Sequence, residues 1–242
     1  MNEPRVVHLV TAAAQGGAEG LPARLCSALC SGLEVDGATV SLLTQSSWRQ
    51  FFGSVGARAL ELEQLQFGVG EGPCITAAAT GKPVIVPDLH TAVTPWPIFG
   101  PAAREQLPDV GAIYAFPMML PGEEVEALGS VDLLRLRPST PDQQFIAQGS
   151  QAAGAVTRVL LRAFDAQLAD DGTLPWQPAD LIDTHWGATR RATGLLAQRL
   201  RITLDDALAR IRARAFASGR SVPDISSDIL NLPPDQLTDG LP

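Results

Sequence analysis

The sequence predicts an α+β protein: an antiparallel sheet with flanking helices, followed by a small three-helix bundle. Three observations carry this. Short apolar segments separated by turn residues recur over 18–136, in the order helix, two strands, helix, strand, helix, two strands. A longer segment from the Thr140 cap to about 168 repeats its apolar residues at helical spacing. Beyond a short acidic stretch rich in Pro and Gly, 169–178, the patterning is purely helical.

Residues 18–33 read as a helix in which Leu21, Leu25, Leu29 and Leu33 repeat every four. Asp36-Gly37 is a turn. A strand lies within 38–48, and 51–59 is its hairpin partner. The run Phe67-Gly68-Val69-Gly70-Glu71-Gly72-Pro73-Cys74 is a glycine-rich loop leading into a short helix, with Pro73 at the favoured first position and Gly81-Lys82-Pro83 ending it. A strand over 83–88 is bounded by prolines, which places it at a sheet edge or end. Trp96-Pro97-Ile98-Phe99 opens another short helix running to Leu107, and 111–120 and 127–136 are strands joined at Pro121-Gly122-Glu123-Glu124. Thr140-Pro141-Asp142-Gln143 reads as a capping box that starts the long helix.

Along that helix Phe145, Gly149, Ala152, Val156, Val159, Ala163 and Ala166 follow alternating four- and three-residue steps, a heptad seam widened by Ile146, Ala153 and Leu160. The stripe is wide enough to pack on its own sheet and on a second subunit. With Leu181, Ile182 and Trp186 beyond the acidic stretch, it leads us to expect a homodimer.

Three helices follow. The first covers about 179–200. Thr203 caps the second, Asp206 stands at its third position and Gly219 stops it, with Leu204, Ala207, Leu208, Ile211 and Ala215 as the apolar face. Ser221 caps the third, which carries Ile225, Ile229 and Leu230 and ends before Pro233-Pro234. The expected organisation is a domain over 1–168, a linker over 169–178, a helical domain over 179–232 and a tail over 233–242.

Composition excludes several classes. Hydrophobic residues make up 45% and mean hydropathy is +0.10, ordinary for a chain with a real core. No run approaches the roughly 18 apolar residues of a membrane span, and the N-terminus lacks the pattern of a signal peptide, so a cytoplasmic location is expected. Cys26 and Cys30 share a helix face but form no C-x-x-C pair; with Cys74 they read as structural. His8, His90 and His185 are scattered, and no metal site is readable. No catalytic constellation is readable either, and the expectation is a protein that is not an enzyme. The Gly70-Glu71-Gly72-Pro73 loop lacks a phosphate-binding lysine and carries a carboxylate, so it reads as a structural turn.

Charge singles out the helical end. Between Arg190 and Arg220 lie eight arginines (190, 191, 199, 201, 210, 212, 214, 220) against Asp205 and Asp206. That segment carries +6 within a chain of net charge -8, so the remainder carries -14. Such an island either meets a polyanion or is a solvated helix surface. On a continuous helix Arg190 and Arg201 would lie on one side, about 16 Å apart. Gly194 and Ala197 between them either admit a nucleic-acid backbone or mark a close helix crossing. Arg210 and Arg214 flank the apolar face of the second helix, and Arg212 sits nearer to it with its stem over the core edge. Trp186 and Phe216 are expected in the core.

The residues Ala192-Thr193-Gly194-Leu195, Ala207, Ile211-Arg212, Ala215, Arg220 and the Val222/Ile225 spacing resemble an ANTAR domain, the RNA-binding module of transcription antitermination regulators. The N-terminal part resembles the GAF domain that accompanies ANTAR in actinobacteria, through Gly70-Glu71-Gly72-Pro73-Cys74, Gly81-Lys82-Pro83-Val84, Pro87-Asp88-Leu89, Trp96-Pro97 and Ala115-Phe116-Pro117. The resemblance implies a GAF-like sensor and dimerisation domain controlling an ANTAR-like domain that binds hairpins of nascent mRNA leaders in the context of RNA polymerase. It leaves any small-molecule ligand of the sensor unspecified. The RNA-binding residues it points to are Arg190, Arg191, Gly194, Arg201, Arg210, Arg214 and Arg220. Where the family has Gln before the Ala-x-Gly triplet, this chain has Arg191, which would exchange a base contact for a phosphate contact. Two other readings remain: a small-molecule sensor whose helical tail contacts a protein, and a GAF-derived redox enzyme using Cys74.

Overall fold

The computed structural model describes residues 4–17, 19–43, 49–122, 127–168 and 187–232. The expected linker over 169–178, the start of the following helix with Trp186, and the tail over 233–242 lie outside them. Contacts divide the chain into two units, one holding the residues up to Trp176 apart from the short segments 45–48 and 68–70, the other those from Gln177 onward.

The larger unit is built on five antiparallel strands: β1 (Gly37–Leu43), β2 (Arg49–Gly56), β3 (Val84–Val86), β4 (Ala112–Met119) and β5 (Ala127–Arg135), in the order β2-β1-β5-β4-β3. The strand β3, flanked by Pro83 and Pro87, is at the edge. Helices α1 (Arg5–Ala13), α2 (Leu21–Leu33) and α6 (Gln143–Leu168) cover one face. Helices α3 (Ala59–Val69), α4 (Pro73–Thr80) and α5 (Phe99–Gln106) complete the unit, with α4 packed on β4 and β5. Strand alternation sorts the faces. Val40, Leu133, Tyr114 and Phe116 join the core under α2 and α6, and Thr39, Ser41, Ser130 and Asp132 point the other way.

Two helices escape the sequence pattern. Helix α1 buries only Val6, Val7 and Val10 and has no side-chain cap. Helix α3 buries Glu63 and Gln66 beside Leu62, Leu65 and Phe67, so polar residues interrupt its inward stripe. The first expected helix begins at Leu21, after the left-handed Gly20, and not at 18. The long helix begins at Gln143, with the Phe145 amide donating to Asp142 Oδ1 at 2.7 Å. Asp142 therefore carries the cap expected of Thr140.

The seam on α6 is used inside the chain. Ala152 and Val156 are completely buried, Gly149 and Val159 are buried, and Phe145 packs edge-on against Tyr114 with ring centroids 5.1 Å apart. A Cβ at Gly149 would lie 2.3 Å from the Phe116 ring, so only glycine lets α6 approach β4 this closely.

In the smaller unit, α7 (Ala188–Leu200), α8 (Leu204–Ser218) and α9 (Val222–Asn231) follow one another. Thr203 Oγ1 accepts from the Asp206 amide at 3.1 Å and donates to its carboxylate at 2.7 Å; Ser221 does the same with Asp224 at 3.2 and 2.7 Å. Gly219 stops α8 in the left-handed conformation. Small residues let α7 and α9 pack: Thr189, Ala192, Thr193 and Ser226 are fully buried, with Ser226 Oγ 3.2 Å from Thr189 Oγ1. We expect Thr203→Ala to weaken α8 by about 1 kcal/mol, read as faster hydrogen exchange of the first-turn amides of α8.

Candidate functional site

Two regions carry chemistry. The first is a buried polar cluster on the second face of the sheet. Gln66 on α3 donates to Asp132 Oδ2 on β5 at 2.7 Å and accepts from the Cys74 amide at the start of α4 at 2.9 Å. Ser130 Oγ donates to Asp132 Oδ1 at 2.7 Å. Glu63 stands one turn before Gln66 on α3, and ligand atoms of Glu63, Cys74 and Asp132 lie within 4.8 Å of one another, all three residues being buried. Thr39 is paired with Asp132, and Ser41 with Ser130, across the β1–β5 ladder. Their hydroxyls are buried with no hydrogen-bond partner among the described residues.

Of the run read as a glycine-rich loop, residues 67–69 belong to the end of α3, and the carboxylate of Glu71 has a definite task. Glu71 Oε1 accepts from the amides of Ile98 at 2.5 Å and Phe99 at 2.7 Å, the otherwise unpaired donors at the start of α5. A negative group also suits that helix end. Trp96 Nε1 donates to Thr76 Oγ1 at 2.9 Å, tying the approach to α5 onto α4. Of the other cysteines, burial pushes the Cys26 thiol far up and the half-buried Cys30 thiol up to about 11, so both stay protonated at neutral pH.

The second region is the basic surface of the helical unit. Arg190 and Arg191 are exposed on α7, and Gly194 lies on their face one turn on, where a Cβ would meet nothing within 4 Å among the described residues. Gly194 therefore marks open surface, whereas Ala197 is buried in the helix packing. Arg201 is exposed but is not on the α7 face. It is the left-handed C-cap, with φ 53°, because the Arg201 and Ile202 amides both turn back to the Ala197 carbonyl. The expected straight line from Arg190 to Arg201 thus ends one residue early.

Arg210 is exposed on α8, and Arg214 is half-buried, its Nε without a hydrogen-bond partner among the described residues. Arg220 lies 2.6 Å from Asp228, whose carboxyl it holds below the ordinary range. Any anion contacting Arg220 competes with that carboxylate. Arg212 is half-buried, as its position near the apolar face suggested.

Phe216 corrects an expectation. It is 73% exposed, not part of the core. At 3.6 residues per turn, the buried line of Ala207, Leu208, Ile211 and Ala215 leaves Phe216 on the outward side with exposed Ala209 and Ala213. Sequence reading missed the buried cluster too. Its one available signal was the polar alternation Thr39/Ser41 and Ser130/Asp132 in strands bracketed by apolar residues, and Glu63 and Gln66 sit on the unrecognised α3.

Among the described residues, no helix is long and apolar enough to cross a membrane. The GAF domain profile matches residues 21–157. The fold is similar to the GAF domain of a phosphoenolpyruvate-protein phosphotransferase from Coxiella burnetii, at 17% identity over 70% of this chain and 98% of that one, with a TM-score of 0.50. It is similar to the GAF domain of the Acinetobacter phosphoenolpyruvate-protein phosphotransferase, at 10% identity over 67% and 95%, TM-score 0.51. It is also similar to a free methionine-R-sulfoxide reductase from Neisseria meningitidis in complex with its substrate, at 13% identity over 66% and 89%, TM-score 0.50. At such identities the likeness shows the fold alone. A search of curated proteins found no match to the sequence.

Proposed function

The chain belongs to the GAF domain family, and from that premise we propose that it is an RNA-binding transcription antitermination regulator, in which the GAF unit senses a signal and the C-terminal helices bind hairpins in nascent mRNA leaders. The observation that carries this reading is the surface of the helical unit: exposed Arg190 and Arg191 stand one turn before the open Gly194 on α7, and an exposed Phe216 stands on the arginine-rich α8. Specific RNA recognition uses unpaired bases stacked on aromatics or on guanidinium planes, together with phosphate contacts. The arginines supply the charge, and Phe216 supplies a stacking face. The -14 carried by the rest of the chain confines a polyanion to this surface. Residues proposed at the RNA surface are Arg190, Arg191, Gly194, Arg201, Arg210 and Arg214, with Arg220 available when Asp228 releases it.

The test is a filter-binding series across salt, with hairpins selected from RNA that co-purifies with the protein. Phosphate contacts release counterions, so wild-type affinity falls steeply with salt. Arg190→Ala with Arg191→Ala weakens binding and lowers the salt slope by about one unit per lost phosphate contact. Unchanged affinity and slope in this double variant would place the RNA surface elsewhere. A complete lack of RNA binding by wild type would favour the helices as a protein-docking tail.

The reading of the chain as a redox enzyme meets an obstacle in this structure. Its thiol, Cys74, is completely buried at the start of α4. A reacting thiolate needs access, so turnover would require α4 to move off the sheet.

A further inference from the structure

We propose that Glu63, Cys74 and Asp132 form a binding site for a divalent transition-metal ion of the zinc or iron(II) class. The site stands independently of any RNA binding.

Three kinds of donor converge there: a carboxylate from α3, a thiol from the first turn of α4 and a carboxylate from β5, with ligand atoms within 4.8 Å of one another. Metal–sulfur and metal–oxygen bonds of about 2.3 and 2.0–2.2 Å place two ligands of one tetrahedral ion about 3.5 Å apart. The donor set selects the metal. A thiolate is unsuited to magnesium or calcium, which take oxygen ligands, whereas a mixed sulfur and oxygen set suits zinc, iron(II) and cobalt(II). Two carboxylates and a thiolate this close repel one another when ionised, and a divalent cation turns that repulsion into attraction.

The surroundings have the form of a metal site. Ligating carboxylates are oriented by neighbouring donors, and Asp132 receives one hydrogen bond on each oxygen, from Gln66 at 2.7 Å and Ser130 at 2.7 Å. Gln66 is itself held by the Cys74 amide, so one side chain links two of the three ligands. An independent observation points to a further occupant. Thr39 lies directly opposite Asp132 on the neighbouring strand, on the same face, and opposed residues have Cβ atoms about 4.5–5.5 Å apart. Its hydroxyl and that of Ser41 are buried without a partner among the described residues, an arrangement native proteins avoid. Three protein ligands leave a coordination position open, and a water bound there gives the Thr39 hydroxyl a hydrogen-bond partner.

Binding releases the Cys74 thiol proton to solvent as the sulfur–metal bond forms, together with any carboxyl proton, with no change in oxidation state. The test uses the full-length protein, reduced and stripped by chelator, titrated with Co2+ alone. The expected result is one Co2+ per chain, a thiolate-to-cobalt charge-transfer band in the near ultraviolet, proton release, and displacement by Zn2+. The band persists in the Cys26→Ser/Cys30→Ser protein and disappears in Cys74→Ser. Gln66→Leu, which removes the orienting donor, weakens affinity about 10- to 100-fold. Absence of stoichiometric Co2+ binding by folded wild type overturns the proposal, as does a band that is lost when only Cys26 and Cys30 are replaced or survives loss of Cys74. Wild type and the Cys26/Cys30 variant decide the matter even where Cys74→Ser fails to fold.

Discussion

Ala152→Glu unfolds the larger unit. Ala152 is completely buried in the core formed by α1, α2, α6 and the sheet. Glutamate adds four heavy atoms, three of them those of a carboxyl group, where packing leaves no room for them. Overpacking and burial of an unpaired acid act together, and the expected loss is about 4 kcal/mol or more. Thermal unfolding followed by circular dichroism measures it. The exposed neighbour Gln151 is the control, and Gln151→Glu shifts stability by about 0.5 kcal/mol or less. The same experiment examines the homodimer expected from the heptad seam. A variant that keeps the wild-type melting temperature but halves its mass in light scattering would return Ala152 to a subunit interface. A variant that melts early shows the seam at work within one chain.

Phe216→Ala is expected to weaken binding of the preferred RNA by about 1–3 kcal/mol, the range of a lost base–aromatic stack. Because Phe216 is 73% exposed, its removal leaves stability nearly unchanged. The salt slope also stays at the wild-type value, since no phosphate contact is lost. This separates the aromatic contribution from that of the arginines, whose removal changes the slope. Phe216→Trp retains binding, because indole provides a stacking face at least as large. Equal RNA affinity of wild type and Phe216→Ala would remove stacking at this residue from the mechanism and leave the arginine planes to carry it.

Helix ends were legible because their causes are local. Thr203 and Ser221 each reach an amide three residues on, and Gly81 and Gly219 adopt the left-handed conformation that ends α4 and α8. The edge position of β3 was legible because proline lacks an N–H wherever it is placed. The start of α6 was misplaced because Thr140 and Asp142 are both competent caps, and only the path of the chain chooses Asp142. Arg201 was assigned to a helix face because periodicity has no term for the turn at Ile202 that ends α7.

The sequence by itself determined the antiparallel sheet with its flanking helices, since alternation, caps and breakers act over a few residues and need no distant partner. It also determined that positive charge gathers between Arg190 and Arg220. Tertiary structure alone decided which apolar stripe meets which neighbour: the α6 seam lies against Tyr114 and Phe116, and Phe216 faces outward. It alone brought Glu63, Cys74 and Asp132 together from a helix, a helix start and a strand. The reason is physical. A side chain's direction within its element follows from local geometry, but what it meets there depends on packing between segments far apart in the chain.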